Sequence, residues 1–211
     1  MNGIDRILVL APHTDDGEFG CGGSIVKFIQ AGKTVFYLAF SAAEKSVPKQ
    51  FPRNILKKEV REATSILGIL KEDLTVLSYP VRDFLSYRQE ILEDIIRFKD
   101  DLNPDVVFLP CLNDTHQDHQ VIAQEGFRAF KDITMLGYEV PWNNLVFHTS
   151  AFILLQEKHL LKKLEAMKCY KSQAHRGKVT EDFIRSLAKV RGTQVGCLYA
   201  ESFELIRWVM K

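Results

Sequence analysis

The chain has 211 residues, 46% of them hydrophobic and 26% charged, enough to bury one sizeable core. Twenty-eight basic residues against 27 acidic ones leave a formal charge of +1, without the basic bias that marks a nucleic-acid or anionic-membrane binder. No apolar run approaches the roughly 20 residues of a membrane span, no leader pattern opens the chain, and four scattered cysteines form no CxxC pair, so a cytoplasmic protein with free thiols is expected.

Ile7 to Ala11 is a compact apolar run closed by Pro12, and it reads as a buried strand. A polar, glycine-rich turn follows, then a helix from about Gly23 to Gly32, then a strand from Val35 to Phe40. A helical pattern runs from Ile55 to Leu70 with Gly68 as its stop, and Leu74 to Tyr79 is a third strand closed by Pro80. Glu90 to Leu102 is an amphipathic helix whose apolar face includes Ile91, Leu92 and Ile95, and Asn103-Pro104 breaks it. Val106 to Pro110 is a fourth strand, and His119 to Lys131 a further helix. Met135–Val140, Phe147–Leu155 and Phe203–Val209 read as the remaining strands, with helices near Glu157–Cys169 and Glu181–Arg191. Regular alternation with continuously apolar strands predicts a single α/β domain over residues 1–211, with a mostly parallel sheet covered by helices on both faces.

Open parallel sheets bind ligands outside the carboxyl ends of their strands. The first strand runs into Pro12-His13-Thr14-Asp15-Asp16-Gly17-Glu18, and the fourth into Asn113-Asp114-Thr115-His116-Gln117-Asp118-His119. These loops hold three of the six histidines and a concentration of carboxylates. His13 and Asp16 are separated by two residues in a tight loop; His116 and His119 share a helix face at i and i+3. A catalytic zinc keeps three protein ligands and one open position, a shell that His13, Asp16 and His119 would supply, leaving Asp15 and His116 for proton transfer and oxyanion stabilisation. Helix capping is the competing account of Asp15, Asp16, Asp118 and His119. Two such clusters, each directly after an apolar strand, are harder to attribute to capping alone.

Gly20, Gly22 and Gly23 miss the G-x-G-x-x-G register, and two carboxylates just upstream would repel a pyrophosphate, so these glycines read as close packing of a helix under the loop. No G-x-S-x-G elbow is present, and Cys21 beside glycines reads as packing rather than as a thiolate nucleophile.

The same loops carry a resemblance. Pro12-His13-Thr14-Asp15-Asp16 with Glu18 and Gly20-Cys21-Gly22-Gly23, followed by Asn113-Asp114-Thr115-His116-Gln117-Asp118-His119, resemble the paired signatures of the PIG-L/LmbE-like N-acetylglucosaminyl deacetylases. Weaker similarity continues through Arg61-Glu62-Ala63, Tyr170-Lys171-Ser172-Gln173, Arg191-Gly192 and Tyr199 to Phe203. The resemblance implies a Rossmann-like domain that uses zinc, with Fe2+ or another divalent ion as the alternative, to remove the N-acetyl group from a GlcNAc-type sugar conjugate. It further implies His13, Asp16 and His119 as metal ligands, Asp15 as general base and His116 as the residue that stabilises the oxyanion, which a protonated ring would do. Asp118 would orient a neighbouring histidine. Thr14 replaces the family's usual proline, and Gly17 stands where an acidic residue often follows the two aspartates.

Trp142, Tyr138, Glu139, Arg53, Arg82 and Tyr87 fall in candidate loops, and Lys171 and Arg176 could meet an anionic aglycone; none is assigned a contact. The partner expected is therefore a small N-acetyl amino-sugar conjugate, with no nucleic acid and no membrane span, and a homo-oligomer is compatible with the sequence. Three readings compete: a metal-dependent amidase on another N-acyl conjugate, a non-catalytic sugar-binding protein of this fold, and a two-His-one-carboxylate iron enzyme.

Overall fold

The computed structural model describes residues 3–176 and 180–210. Its sheet contains β1 (Arg6–His13), β2 (Thr34–Ser41), β3 (Leu74–Val76), β4 (Val106–Pro110), β5 (Thr134–Tyr138), β6 (Ala151–Leu155) and β7 (Tyr199–Arg207), in the spatial order β3-β2-β1-β4-β5-β7-β6. Pairings among β1 to β5 are all parallel, whereas β7 runs antiparallel to both of its neighbours. Ile7 to Ala11 of β1 are fully buried, which explains why that segment reads as continuously apolar rather than alternating.

Helices α1 (Asp16–Gln30), α2 (Ile55–Leu67) and α5 (Glu157–Met167) cover one face; α3 (Arg88–Leu102) and α4 (Gln117–Ala129) cover the other. Odd-numbered residues of β1 (Ile7, Val9, Ala11) enter the first core with Ile25, Phe28 and Val60, while Leu8 and Leu10 enter the second with Ile95 and Ile122. A third cluster joins Phe19 to Leu160 and Leu164 of α5 and to Ile184 and Ala188 of α6 (Glu181–Gln194). No described helix is long and apolar enough to cross a membrane.

The mostly parallel α/β architecture is as expected, but several boundaries differ. The segment expected to be a turn before Gly23 is already helix: α1 begins at Asp16, kinks at Cys21 (φ −143°) and continues to Gln30. Its glycines serve close approach. A Cβ at Gly17 would lie 2.6 Å from the Tyr37 ring, one at Gly20 2.5 Å from Tyr138, and one at Gly23 2.5 Å from Leu155. Local propensity would stop a helix here; packing against the sheet overrides it. The third strand is shorter than its apolar run, although the Leu77 and Tyr79 amides still donate to Ala39 and Phe40 of β2. β6 begins four residues later than expected, and β7 begins and ends earlier, at Tyr199 and Arg207.

Candidate metal centre

β1 lies beside both β2 and β4, and the helices that follow β1 and β4 depart to opposite faces. The crevice between their first turns is the topological switch point of the sheet. His13 is the last residue of β1, Asp15 the N-cap of α1 and Asp16 its first residue. On the other wall His116 is the N-cap of α4, its Nδ1 accepting the Asp118 amide at 3.2 Å, and His119 lies on the first turn. Of the four residues that capping would explain, Asp15 stands at the N-cap of α1 with no side-chain cap hydrogen bond, and the cap of α4 is made by His116 instead.

His13, Asp16 and His119 meet at one point. Asp16 Oδ2 is 3.1 Å from His13 Nδ1 and 3.2 Å from His119 Nε2, and the three atoms lie within 4.8 Å of one another. Tetrahedral bonds of about 2.0–2.1 Å would place ligand atoms roughly 3.3 Å apart, so this donor set fits a zinc-sized ion. The far nitrogen of each ring rests on a carboxylate: His13 Nε2 lies 2.9 Å from Asp118 Oδ2, and His119 Nδ1 lies 2.7 Å from Asp114 Oδ2. That arrangement fixes ring orientation and leaves the near nitrogen facing the shared point.

His13, His116 and Asp118 form a second group of compatible donors. It is the poorer candidate. Asp118 is fully buried, and its Oδ2 already accepts the Arg82 amide at 2.6 Å beside its contact with His13, while Oδ1 takes the Phe84 amide at 3.4 Å. Asp118 thus orients His13, a neighbour in space from the other loop. Asp114, which sequence reading left without a role, does the same for His119 and also accepts the His116 amide through Oδ1 at 2.8 Å. Its place in the second signature, five residues before His119, was the available signal.

The electrostatics follow from these pairs. Burial lowers the pKa of both His13 and His119, but the surrounding carboxylates outweigh it: Asp118 and Asp16 raise His13 to about 9, and Asp16 with Asp114 raises His119 to about 10. Burial raises the Asp16 carboxyl, yet His119 and His13 hold it well below the usual range. His116 goes the other way, lowered by burial and by the neighbouring His119 and His13. With Nδ1 accepting a backbone amide, neutral His116 keeps its proton on Nε2.

Beneath the loop, Glu18 is fully buried between two tyrosines. Tyr170 Oη is 2.6 Å from Glu18 Oε1 and 2.7 Å from the Thr14 carbonyl; Tyr37 Oη contacts Glu18 Oε2 and lies 2.9 Å from the same carbonyl. Two hydroxyl protons satisfy only two of these four contacts, and a proton on Glu18 supplies a third. Burial pushes the Glu18 carboxyl up to about 8 against the pull of the Tyr170 and Tyr37 hydroxyls. The Tyr37 ring fills the space that a side chain at Gly17 would take.

A cavity of about 280 Å³ opens above the three converging donors, and Asp15, His116, Arg82 and Trp142 line it with them. Of the loop residues singled out by sequence, Tyr138 is buried with its hydroxyl on the Leu10 carbonyl, Glu139 pairs with Arg191, and Arg53 and Tyr87 do not line the cavity. Lys171 does not line it although Gln173, two residues on, does, and the Arg176 side chain lies outside the described residues.

Residues 8–130 match the family described as PIG-L, GlcNAc-PI de-N-acetylase. The deacetylase YaiS of Escherichia coli K12, itself uncharacterised, is 29% identical over 171 residues, covering 79% of this chain and 90% of that protein. The N,N'-diacetylchitobiose deacetylase of Pyrococcus horikoshii superposes with a TM-score of 0.77 at 21% identity, over 96% of this chain and 84% of its own. GalB, a 4-carboxy-2-hydroxymuconate hydratase of Pseudomonas putida KT2440, superposes equally well, with a TM-score of 0.77 at 18% identity over 99% of this chain and 98% of its own.

Proposed function

The chain belongs to the PIG-L family, and from that premise we propose that it is a zinc-dependent hydrolase removing the N-acetyl group from a GlcNAc-type sugar conjugate. The observation that carries the reading is the convergence of His13 Nδ1, Asp16 Oδ2 and His119 Nε2, each histidine backed by its own carboxylate, at the floor of a ligand-sized cavity. Fold alone would not choose this reaction, since a hydratase shares the architecture. Relationship by sequence to deacetylases does support it.

His13, Asp16 and His119 would hold the ion, and two nitrogens with one carboxylate suit zinc while also accommodating Fe2+. A divalent ion bound there supplies Lewis acidity toward the acetamide carbonyl and toward water. Asp15, on the cavity wall, takes the proton of the attacking water and returns it to the leaving amine as the C–N bond breaks; acetate and the free amino sugar result. His116 is assigned to the oxyanion through Nε2–H, and its lowered pKa makes the donor a neutral imidazole. Asp118 and Asp114 position His13 and His119. The four unpaired cysteines support a cytoplasmic setting.

The test is acetate release from N-acetylglucosamine conjugates by protein stripped of metal and then reloaded with zinc. Release that needs metal and is lost in Asp15→Asn is expected. Metal binding without release from any conjugate would overturn the deacetylase reading and leave the amidase or sugar-binding alternatives. Turnover that requires Fe2+ and oxygen would replace it with the iron-enzyme reading.

A further inference from the structure

Two peptide planes meet at the Cα of Asp15, and the fold holds both. The peptide that joins Thr14 to Asp15 is planar, so fixing its carbonyl oxygen also fixes the Asp15 nitrogen and Cα. That oxygen accepts from the Tyr170 hydroxyl at 2.7 Å and from the Tyr37 hydroxyl at 2.9 Å. The next carbonyl, that of Asp15 itself, accepts the Phe19 amide at 3.1 Å. With both planes set, the direction in which the Asp15 side chain leaves the backbone is set as well. That side chain makes no cap hydrogen bond to α1; it lines the cavity, and its reach into the cavity starts from this backbone.

Tyr37 reaches the carbonyl from β2, where its hydroxyl also accepts the Gly17 amide at 3.1 Å. Tyr170 reaches it from 156 residues away, outside the stretch 8–130 that matches the family. It opens the run Tyr170-Lys171-Ser172-Gln173, which follows α5. The run is anchored from behind. Ser172 is fully buried, and its amide and hydroxyl donate to Glu59 of α2 at 2.9 and 2.6 Å. The Gln173 amide closes a turn on the Tyr170 carbonyl at 3.0 Å. Tyr170 is itself buried, its ring packed into the first core, so the hydroxyl cannot turn to solvent. Packing there would be served equally by phenylalanine. A buried hydroxyl needs partners, and this one is placed on the Thr14 carbonyl and on Glu18 Oε1 at 2.6 Å.

We propose that Tyr170 is a positioning residue for the reaction: through the Thr14 carbonyl it holds the Asp15 carboxylate where it takes the proton of the attacking water. The proposal rests on the deacetylase reading, in which Asp15 is the base. Tyr170 does not line the cavity, so removing its hydroxyl leaves the groups that face the substrate chemically unchanged. A base displaced by about 1 Å nevertheless costs up to about a hundredfold in rate.

Tyr170→Phe tests it in the zinc-loaded protein, with acetate release from N-acetylglucosamine conjugates as the assay. We expect kcat to fall about 10–100-fold, with KM and zinc affinity within about twofold of wild type. The slow residual release of Asp15→Asn should change by less than about twofold when Tyr170→Phe is added, because a residue that acts through Asp15 has nothing left to position. A purely structural role would lower both backgrounds alike. Crystal structures of the zinc-loaded wild type and Tyr170→Phe supply a readout besides activity: the Thr14–Asp15 peptide should turn and the Asp15 carboxylate move, with His13, Asp16 and His119 in place. Full kcat in Tyr170→Phe, a loss that persists in Asp15→Asn, or an unmoved Asp15 overturns the proposal. Should Tyr170→Phe fail to fold, Tyr37→Phe removes the other hydroxyl from the same carbonyl and is held to the same outcomes. If wild type releases acetate from no conjugate, the deacetylase reading fails, and the two crystal structures decide the positioning contact separately: a displaced Asp15 retains it and an unmoved one removes it.

Discussion

Asp114 and Asp118 touch the rings of His119 and His13 on the side away from the proposed ion, so their removal should loosen the ligands without deleting one. Asp114→Ala is expected to lower zinc affinity by about 10–100-fold, measured by competition with a chromophoric chelator. An unchanged affinity would show that packing alone orients His119. Protonation gives a second handle. In the metal-free chain His13 and His119 titrate near 9 and 10, so at neutral pH an incoming ion displaces their protons. Zinc affinity should therefore rise by at least about tenfold per pH unit between pH 6 and 9, and a flat profile would contradict the ion pairs. Stability has the opposite sign. Both folded pKa values lie above the unfolded value near 6.5, so this contribution to the metal-free fold is complete below about pH 6.5 and is lost as pH rises through 9 to 10. Gly17 tests the packing below. Gly17→Ala forces a Cβ onto the Tyr37 ring and should cost about 1–3 kcal/mol in denaturant unfolding.

Helix α1 is the element on which the site depends, since Asp15 stands at its N-cap position and Asp16 begins it. Its kink at Cys21 interrupts the backbone ladder, and Glu201 of β7 takes the amides of the second half: Gly23 N at 3.0 Å and Ser24 N at 2.7 Å, with Ser24 Oγ at 2.6 Å. Lys163 of α5 neutralises that carboxylate at 2.6 Å, with both side chains about 6% exposed. Glu201 thus caps a helix restarted in mid-course, from a strand 177 residues further on. Breaking a buried pair leaves the partner charge uncompensated, so Lys163→Ala should cost about 3–5 kcal/mol by chemical denaturation. A change under about 1 kcal/mol would show that Glu201 is satisfied by the amides alone. The elements most readable from sequence were those dominated by local pattern, β1, β4 and α3, where apolar runs and caps coincide. The first half of α1 was not readable, because Gly17, Gly20 and Gly23 argue against helix until Tyr37, Tyr138 and Leu155 are seen packed on them.

At the scale of the molecule, the family match ends at residue 130, but the structure beyond it is not an appendage. β7 is inserted between β5 and β6 and supplies Glu201 and Phe203, while Tyr170 reaches back to the Thr14 carbonyl at 2.7 Å. A chain truncated after residue 150 would expose the edge of β5 and leave the Gly23 and Ser24 amides unpaired. It is expected to lose cooperative unfolding and zinc binding together, followed by circular dichroism and chelator competition. A truncated chain that folds and binds zinc would place stability and site wholly in the first 150 residues.

Sequence by itself determined the parallel α/β layering, through apolar strands regularly separated by amphipathic helices, and it brought His13, Asp15, Asp16, His116, Asp118 and His119 forward because two polar loops follow buried strands directly. Those signals are local: burial on both faces writes itself into a strand's composition, and a strand's end marks where polar groups can face a ligand. Tertiary structure alone decided which atoms converge. The pairing of Asp118 with His13 across 105 residues, of Glu201 with α1 and of Tyr37 with Gly17 depends on strand order and register, which no residue's neighbours in sequence encode. The antiparallel placement of β7, between β5 and β6, depends in the same way on strand order and register.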